Sequence, residues 1–283
     1  MPVQQIGVIG GGTMGTGVAY VFAAAGCDVK LVEPVPVQAE KAQAIIAKQA
    51  TRAAEKGKLG HAEVTGLPRR VQVISATDDL PRSLDLIVEA VPERLELKRD
   101  VLVAAAKRAP AILASNTSGI SISELAVGLD RPEAFVGLHF FNPVWSMPLL
   151  EIVRRTATSD ETVSTAQQVG ELIGKQTIVV RDMPGFATSR LGVAIGLEAI
   201  RMLEDGVASA ADIDTAMELG YRHPMGPLRL TDLVGLDVRL DIARNLAKSY
   251  GHRFEPPQLL VDKVVSGETG KKAGQGFYDW SAQ

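Results

Sequence analysis

The sequence has 283 residues, 46% of them hydrophobic and 22% charged, which is typical of a globular protein with room for two sizeable cores. The net charge of −3 with scattered Lys and Arg residues argues against nucleic acid as a partner, and the single cysteine excludes an intrachain disulfide and a thiolate metal cluster. No apolar stretch reaches the roughly 18 residues of a membrane span, and the first strand leaves no room for a signal peptide, so we expect a cytoplasmic protein without a metal site.

The first predicted strand leads into a glycine-rich turn. Residues 6–9 are apolar, the next six residues read Gly10-Gly11-Gly12-Thr13-Met14-Gly15, and a helix is predicted over 13–25. The pattern G-x-G-x-x-G between a strand and a helix is typical of a dinucleotide-binding site. The helix N-terminus would offer N–H groups to a pyrophosphate. The cofactor-binding residues predicted here are Gly10, Gly12, Thr13, Met14 and Gly15.

The second predicted strand, residues 28–33, ends in the carboxylate of Glu33. An acidic group about 20 residues beyond the glycine turn can accept hydrogen bonds from the adenosine ribose hydroxyls. No Lys or Arg occurs between Glu33 and Lys41, so a 2′-phosphate would meet a negative charge and no nearby cation. The sequence therefore favours NAD over NADP, although a carboxylate that merely ends a strand would give the same pattern.

Strands and helices alternate along the first part of the chain. Further strands are predicted at 71–75, 85–89, 111–115, 134–138, 149–153 and 176–180, with helices at 37–56, 95–109 and 159–173. This alternation predicts an α/β fold with a Rossmann-type, mostly parallel sheet covered by helices on both faces.

The pattern changes after residue 180, beyond which no further strand is predicted. Asp182-Met183-Pro184-Gly185 interrupts the chain, and helical segments are predicted at 186–204, 209–219, 228–247 and 257–265. We therefore predict two domains, a nucleotide-binding Rossmann domain at 1–183 and an all-helical domain at 184–283. The helical domain is expected to shape a substrate cleft or a dimer interface.

Three polar side chains are candidates for chemistry because the carboxyl end of a parallel sheet is where ligands bind. Ser118 follows the strand 111–115, and His139 follows the strand 134–138. Glu151 lies inside an apolar strand, where a carboxylate is costly unless it is paired. A histidine can take the hydroxyl proton of an alcohol while hydride leaves the carbon, and a carboxylate on its other nitrogen would orient the ring. On spacing alone, His139 could also be a core histidine and Ser118 a turn hydroxyl.

Seven motifs, in order and over nearly the whole chain, resemble the L-3-hydroxyacyl-CoA dehydrogenase family, and within it the short bacterial 3-hydroxybutyryl-CoA type. Besides the glycine turn they are Ser115-Asn116-Thr117-Ser118, His139-Phe140-Phe141-Asn142-Pro143, Pro184-Gly185-Phe186, His223-Pro224-Met225-Gly226-Pro227, Asp232-Leu233-Val234-Gly235-Leu236-Asp237 and Lys271-Lys272-Ala273-Gly274-Gln275-Gly276-Phe277-Tyr278.

The resemblance implies NAD-dependent oxidation of a short-chain (S)-3-hydroxyacyl-CoA, such as 3-hydroxybutyryl-CoA, to the 3-oxoacyl-CoA, or the reverse reaction. It implies His139 as the acid/base, Glu151 as its partner, and Ser118 as a group that hydrogen-bonds the reacting oxygen. It also implies a homodimer formed through the helical domain. The remaining implied contacts are to the cofactor by Glu93, Lys98, Ser118, Asn142 and Lys272, and to coenzyme A by Lys56.

Three departures from the family pattern leave alternatives open. Ser189 stands at the position of an active-site asparagine, and its shorter side chain would reach the substrate less directly. Pro148 replaces a common lysine, as in related dehydrogenases of carnitine and sugar acids, and Glu33 replaces the usual aspartate. The alternatives are a dehydrogenase of a free hydroxy acid, which would need no coenzyme A site, and an NAD-binding protein with weakened catalysis.

Overall fold

An eight-stranded sheet forms the centre of the first part of the chain. The computed structural model describes residues 3–281, except for the side chains of residues 61 and 62. The strands in this range are β1 Gln5–Ile9, β2 Asp28–Val32, β3 Val71–Ile74, β4 Leu86–Glu89, β5 Ile112–Ser115, β6 Phe135–Phe140, β7 Leu149–Arg154 and β8 Gln176–Arg181. Their order across the sheet is β3-β2-β1-β4-β5-β6-β7-β8, and only the β6–β7 pair is antiparallel.

Helices connect most of these strands and cover the sheet. They are α1 Thr13–Ala24, α2 Pro36–Glu55, α3 His61–Arg70, α4 Leu95–Ala106, α5 Ile122–Leu125 and α6 Asp160–Leu172. The predicted Rossmann-type α/β fold is thereby confirmed. The sequence pattern does not predict α3, because Gly66 and Pro68 disfavour helix interiors.

The apolar core of this unit contains residues from both the sheet and its helices. Val8 and Leu31 of the strands are fully buried, and Phe22 of α1 and Ile46 of α2 pack in the same apolar cluster. The strand order reverses on the two sides of β1, since β2 lies on one side and β4 on the other. A crevice at the carboxyl ends of strands is expected at such a reversal.

The rest of the chain forms a second compact unit, divided from the first between Asp182 and Met183. Its helices are α7 Thr188–Glu204, α8 Ala210–Thr215, α9 Pro227–Val234, α10 Leu236–Tyr250 and α11 Gln258–Val265, with a π-helical turn at Ala216–Gly220 after α8. They pack around a separate apolar cluster that includes Leu197, Leu228 and Leu240. Among the described residues, no helix combines the length and apolarity needed to span a membrane.

The single helical segment predicted at 228–247 is two helices. Gly235 ends α9 and precedes α10 with a φ of 102°, a left-handed conformation that glycine adopts without strain. The buried Asp232 carboxylate accepts hydrogen bonds from the Phe277 and Tyr278 N–H groups and from Trp280 Nε1, at 2.8–2.9 Å. One carboxylate therefore ties the C-terminal segment to α9.

Candidate active site

A cleft with a volume of about 920 Å³ opens at the carboxyl ends of β1, β2, β4, β5 and β6. This volume is in the range of small-molecule and cofactor sites. All of its lining residues belong to the N-terminal unit. The predicted site residues that the structure brings together along its wall are Gly10, Gly12, Thr13, Met14, Glu33, Glu93, Lys98, Ser118, His139 and Asn142.

The glycine turn depends on missing side chains. Gly10 has a φ of 106°, and its N–H donates to Val32 O at 2.9 Å. A Cβ at Gly15 would lie only 1.8 Å from Gly10 O, so any other residue there would force the strand and helix apart. A Cβ at Gly12, by contrast, would meet no atom within 4 Å. The backbone at Gly12 therefore faces the open cleft.

The N-terminus of α1 fits the diphosphate of a dinucleotide. Gly12 is its N-cap, no side chain caps the helix there, and its first turn contains no acidic residue. The first N–H groups of a helix lack intrahelical acceptors and attract anions. The residues at this turn therefore fit NAD.

The Glu33 carboxylate is held at the end of β2 by two backbone donors. Gly11 N–H donates to its Oε2 at 2.8 Å, and Val35 N–H donates to its Oε1 at 2.9 Å. A carboxylate fixed at the wall of the cleft can still accept ribose hydroxyls through its remaining lone pairs. It would repel a 2′-phosphate, in keeping with NAD as the cofactor.

Sequence reasoning missed polar residues beside Glu33. Gln38 Nε2 donates to Gly11 O at 2.7 Å, and Ser75 and Thr77 also line the cleft. Glu33 N–H donates to Ile74 O at 2.9 Å, so Ser75 directly follows the strand that neighbours β2. The sequence feature that could have identified Gln38, Ser75 and Thr77 is their position just beyond the ends of strands.

His139 and Glu151 are cross-strand neighbours in the antiparallel β6–β7 pair. His139 Nδ1 lies 2.7 Å from Glu151 Oε2, and the exposed fractions of the two residues are 6% and 0%. When the carboxylate is ionised it only accepts hydrogen bonds, which places a proton on Nδ1 and leaves Nε2 as the nitrogen that can exchange one. His139 lines the cleft, and the centroid of its ring lies 4.4 Å from that of Phe141.

Glu93 organises the loop that carries Ser118. Its Oε1 accepts Thr117 Oγ1 at 2.6 Å and the Ser118 N–H at 2.9 Å, and Ser118 Oγ lies 3.3 Å away. Burial alone would raise the pKa of Glu93. The Lys98 ammonium and the hydrogen bonds from Thr117 and Ser118 outweigh that effect and hold its pKa below the usual value. Glu93 is therefore ionised at neutral pH.

Lys98 is a buried cation with three acceptors. Its Nζ lies 2.8 Å from Glu89 Oε1, 3.2 Å from Glu93 Oε2 and 3.1 Å from Val91 O. Ser115 Oγ donates to the other Glu89 oxygen at 2.6 Å. These contacts use all three N–H groups of the ammonium. Sequence reasoning did not identify Glu89. The feature that could have identified it is the one that identified Glu151, a carboxylate in a buried strand.

Two further missed residues fix the backbone next to His139. Asn116 Oδ1 accepts the Phe140 N–H at 2.9 Å, which ties the end of β5 to β6. Lys175 Nζ donates to Val144 O at 2.7 Å and to Met147 O at 2.6 Å. Burial lowers the pKa of Lys175. These contacts shape the loop between β6 and β7, where Asn142 lies.

Five predicted site residues lie outside the cleft lining, and two of them, Gly15 and Glu151, are buried directly behind lining residues. Lys56 is exposed at the C-terminal end of α2. In the second unit, Ser189 lies in the first turn of α7, and no hydrogen bond to its Oγ occurs among the described residues. Lys272 Nζ lies 2.5 Å from Asp237 Oδ2. Burial would raise the pKa of Asp237, but the hydrogen bond from Lys272 keeps it below the usual value.

Two family descriptions match the sequence, and together they cover almost all of it. Residues 5–183 match 3-hydroxyacyl-CoA dehydrogenase, NAD binding domain, and residues 185–280 match 3-hydroxyacyl-CoA dehydrogenase, C-terminal domain. The first match alone extends over more than half of the chain. The resemblance inferred from the seven motifs, and NAD as the cofactor, are therefore confirmed.

Individual relatives are similar over nearly their full length. A probable 3-hydroxybutyryl-CoA dehydrogenase of Bacillus subtilis is 40% identical, covering 99% of this chain and 98% of the relative. The 3-hydroxybutyryl-CoA dehydrogenase of Bradyrhizobium diazoefficiens is 39% identical, covering 98% and 96%. The crystal structure of (S)-3-hydroxybutyryl-CoA dehydrogenase PaaH1 from Ralstonia eutropha superposes with a TM-score of 0.94 at 35% identity, covering 99% of both chains.

Proposed function

The chain belongs to the 3-hydroxyacyl-CoA dehydrogenase family, and from this premise we propose that it oxidises short-chain (S)-3-hydroxyacyl-CoA, such as 3-hydroxybutyryl-CoA, to the 3-oxoacyl-CoA, or catalyses the reverse. The observation that carries the proposal is the His139–Glu151 pair, in which His139 lines the cleft and Glu151 is buried behind it. NAD, when bound at the glycine turn, supplies the hydride acceptor.

His139 is the acid/base of the proposed reaction. Its Nε2 takes the proton of the C3 hydroxyl as the C3–H bond breaks and the carbonyl forms, and it returns a proton in the reverse direction. Glu151 stabilises the imidazolium that results, because its carboxylate lies 2.7 Å from Nδ1 in a fully buried position. Strand register rather than a loop sets this pair, so little reorganisation accompanies proton transfer.

The other predicted residues receive positioning and binding roles. We propose that Ser118, whose backbone is fixed by Glu93, donates to the reacting oxygen and that Ser189 gives a second, shorter-reaching contact. Lys98 acts on the cofactor through Glu93, because its own N–H groups already have acceptors. Asn142 and Lys272 are assigned to the cofactor, and Lys56 to a phosphate of coenzyme A.

We further propose a cytoplasmic homodimer in which the domain at 184–283 supplies the contact. Helices α7, α9 and α10 leave large apolar side chains exposed, namely Leu191, Leu230, Leu233, Val234 and Val238. Clustered exposed apolar residues are unusual on monomers and typical of association surfaces. Sedimentation velocity at micromolar concentration tests this, since a monomer would contradict it.

The activity test is His139→Gln assayed at the NADH absorbance band with acetoacetyl-CoA. Glutamine keeps a polar side chain but cannot exchange a proton near neutral pH, so kcat should fall about 100-fold or more. His252→Gln is the matched control, because His252 is 93% exposed. Full turnover by His139→Gln would refute the proposal.

A Lys56→Ala variant with unchanged KM would point to a free hydroxy acid as the substrate.

A further inference from the structure

Asp182, which directly follows β8, accepts three hydrogen bonds from the start of α5. Ser121 Oγ donates to its Oδ2 at 2.8 Å, and the Ser123 N–H donates to the same oxygen at 2.7 Å. The Ile122 N–H donates to Oδ1 at 3.0 Å. The donors precede Asp182 by 59 to 61 residues in the sequence. One carboxylate therefore joins two distant segments of the N-terminal unit.

The backbone of Asp182 is itself fixed by the sheet. Its N–H donates to the carbonyl oxygen of Arg154, the last residue of β7, at 2.8 Å, which extends the parallel β7–β8 ladder by one residue. Groups carried on strands are held more precisely than groups carried on loops. The Asp182 carboxylate therefore ties the start of α5 to a rigid part of the unit.

Helix α5 already has a local cap without this carboxylate. Ser121 is its N-cap, and the serine Oγ accepts the N–H groups of Ser123 and Glu124 at 3.1 and 3.3 Å. Serine is among the residues preferred at this position. A local cap stabilises the helix end but does not connect it to another element. Asp182 adds that connection, so its role concerns where the segment lies as well as whether the helix forms.

The loop that leads into α5 carries Ser118. Glu93 Oε1 accepts the Ser118 N–H at 2.9 Å and the Gly119 N–H at 3.1 Å. A single residue separates Gly119 from Ser121, where the contacts of Asp182 begin. The loop is therefore held by two carboxylates, by Glu93 at Ser118 itself and by Asp182 at the end that joins α5.

The start of α5 also packs on the strand that carries His139. Ile122 is 0% exposed, and a Cβ at Gly137 of β6 would lie only 2.8 Å from its Cδ1. Gly137 precedes His139 by two residues on this strand, so α5 approaches β6 closely where a side chain is missing. Ser118 and His139 both line the cleft. A shift of α5 against β6 would therefore change the spacing of these two groups.

We propose that Asp182 is a positioning residue of the reaction, which sets the place of the Ser118 hydroxyl relative to His139. The proposal rests on the proposed function, in which Ser118 donates to the reacting oxygen. That oxygen gains negative charge as the hydroxyl proton leaves, so a displaced donor weakens the transition state more than it weakens substrate binding. Asp182 therefore acts on kcat, through Ser118, and has little influence on KM.

The test is a double-mutant cycle of Asp182→Ala and Ser118→Ala, assayed with acetoacetyl-CoA at the NADH absorbance band. A residue that acts through Ser118 loses its effect once the Ser118 hydroxyl is absent. Asp182→Ala should lower kcat about tenfold with Ser118 present, and less than about twofold in the Ser118→Ala background. Its KM should change less than about twofold. Asp130→Ala, an exposed aspartate of the same unit, is the control and should leave kcat unchanged in both backgrounds.

Asp182→Asn is the second variant, because it keeps the shape of the side chain if Asp182→Ala misfolds. Asparagine retains an acceptor for the Ile122 N–H and loses the oxygen that receives two donors, so kcat should fall about threefold. This loss should also disappear in the Ser118→Ala background. An equal loss in both backgrounds, or no loss in either, would overturn the inference and leave the proposed function intact. Absence of wild-type turnover with 3-hydroxybutyryl-CoA and acetoacetyl-CoA would overturn the proposed function instead.

Discussion

Lys98 in the N-terminal unit and Arg239 in the C-terminal unit are both buried cations, at 1% and 5% exposure, but their surroundings are opposite. Every N–H of the Lys98 ammonium has an acceptor, and two of the acceptors are carboxylates. Arg239 Nε, by contrast, is buried without an acceptor among the described residues. A buried charge with a complete set of partners belongs to the architecture of the protein. A buried charge without partners is unfavourable for folding.

Lys175 is an intermediate case between these two. It is 8% exposed and its ammonium donates to the backbone oxygens of Val144 and Met147 rather than to a carboxylate. Carbonyl dipoles satisfy the hydrogen bonds but do not neutralise the charge, which agrees with a pKa lowered by desolvation. The three cations therefore form a series from full pairing to none, and substitutions that remove each of them test it.

The largest loss of stability is expected for Lys98→Met. The substitution leaves the Glu89 carboxylate buried at 0% exposure without its counter-ion, and breaking a buried pair in this way costs about 3–5 kcal/mol. Urea unfolding followed by circular dichroism measures the change in the free energy of unfolding. Lys107→Met, an exposed lysine at the end of the same helix, is the control. A loss below about 1 kcal/mol would show that the pair is not structural.

Lys175→Met should have a smaller effect. It leaves two backbone carbonyls without donors but no uncompensated charge, and a buried acceptor left unsatisfied costs about 1–3 kcal/mol. Hydrogen exchange should accelerate in the β6–β7 loop, residues 141–148, more than in β1. Exposed Lys41, in the same unit, is substituted by Met as the control. If Lys175→Met were as destabilising as Lys98→Met, charge neutralisation would not distinguish the two sites.

The sequence predicts some of these residues and not others for a physical reason. Glu151 is predictable because a carboxylate in an apolar strand needs a partner, and strand register places His139 opposite it. Glu89 carries the same signal, but its partner lies on α4, and the packing of that helix against β4 cannot be read from spacing. The fold follows from periodicity and turn residues, whereas partners across elements depend on packing.

Arg239 shows the limit of sequence patterns more clearly. Its place on α10 suggests an ordinary helix-surface arginine, and 228–247 reads as one continuous helical segment. The break at Gly235 and the approach of α7 change its environment from solvent to interior. The available signal was the Gly192 and Gly196 pair, because two glycines at this spacing in a helix indicate close approach of another group.

Acid should weaken the Lys98 network through Glu93. The pKa of Glu93 is lower in the folded protein than in the unfolded chain, so its contribution to stability is present above about pH 4.3 and is lost as the pH falls through the folded value. The side chain is 41% exposed, so solvent screens the effect to less than about 1 kcal/mol. The stability difference between wild type and Glu93→Gln should shrink from pH 6 to pH 3. Exposed Glu96→Gln should show no such trend.

The smallest loss is expected for Arg239→Met, which completes the series. Methionine fills a similar length of the space beside Gly192 and Gly196 and removes an unpaired buried charge. The free energy of unfolding should therefore fall by no more than about 0.5 kcal/mol. Arg244→Met, an exposed arginine on the same helix, controls for the loss of net charge. A loss comparable to that of Lys98→Met would mean that the guanidinium already has a strong partner, and the contrast between the two buried cations would fail. A gain in stability would instead strengthen the contrast, because it would show that the unpaired guanidinium opposes folding.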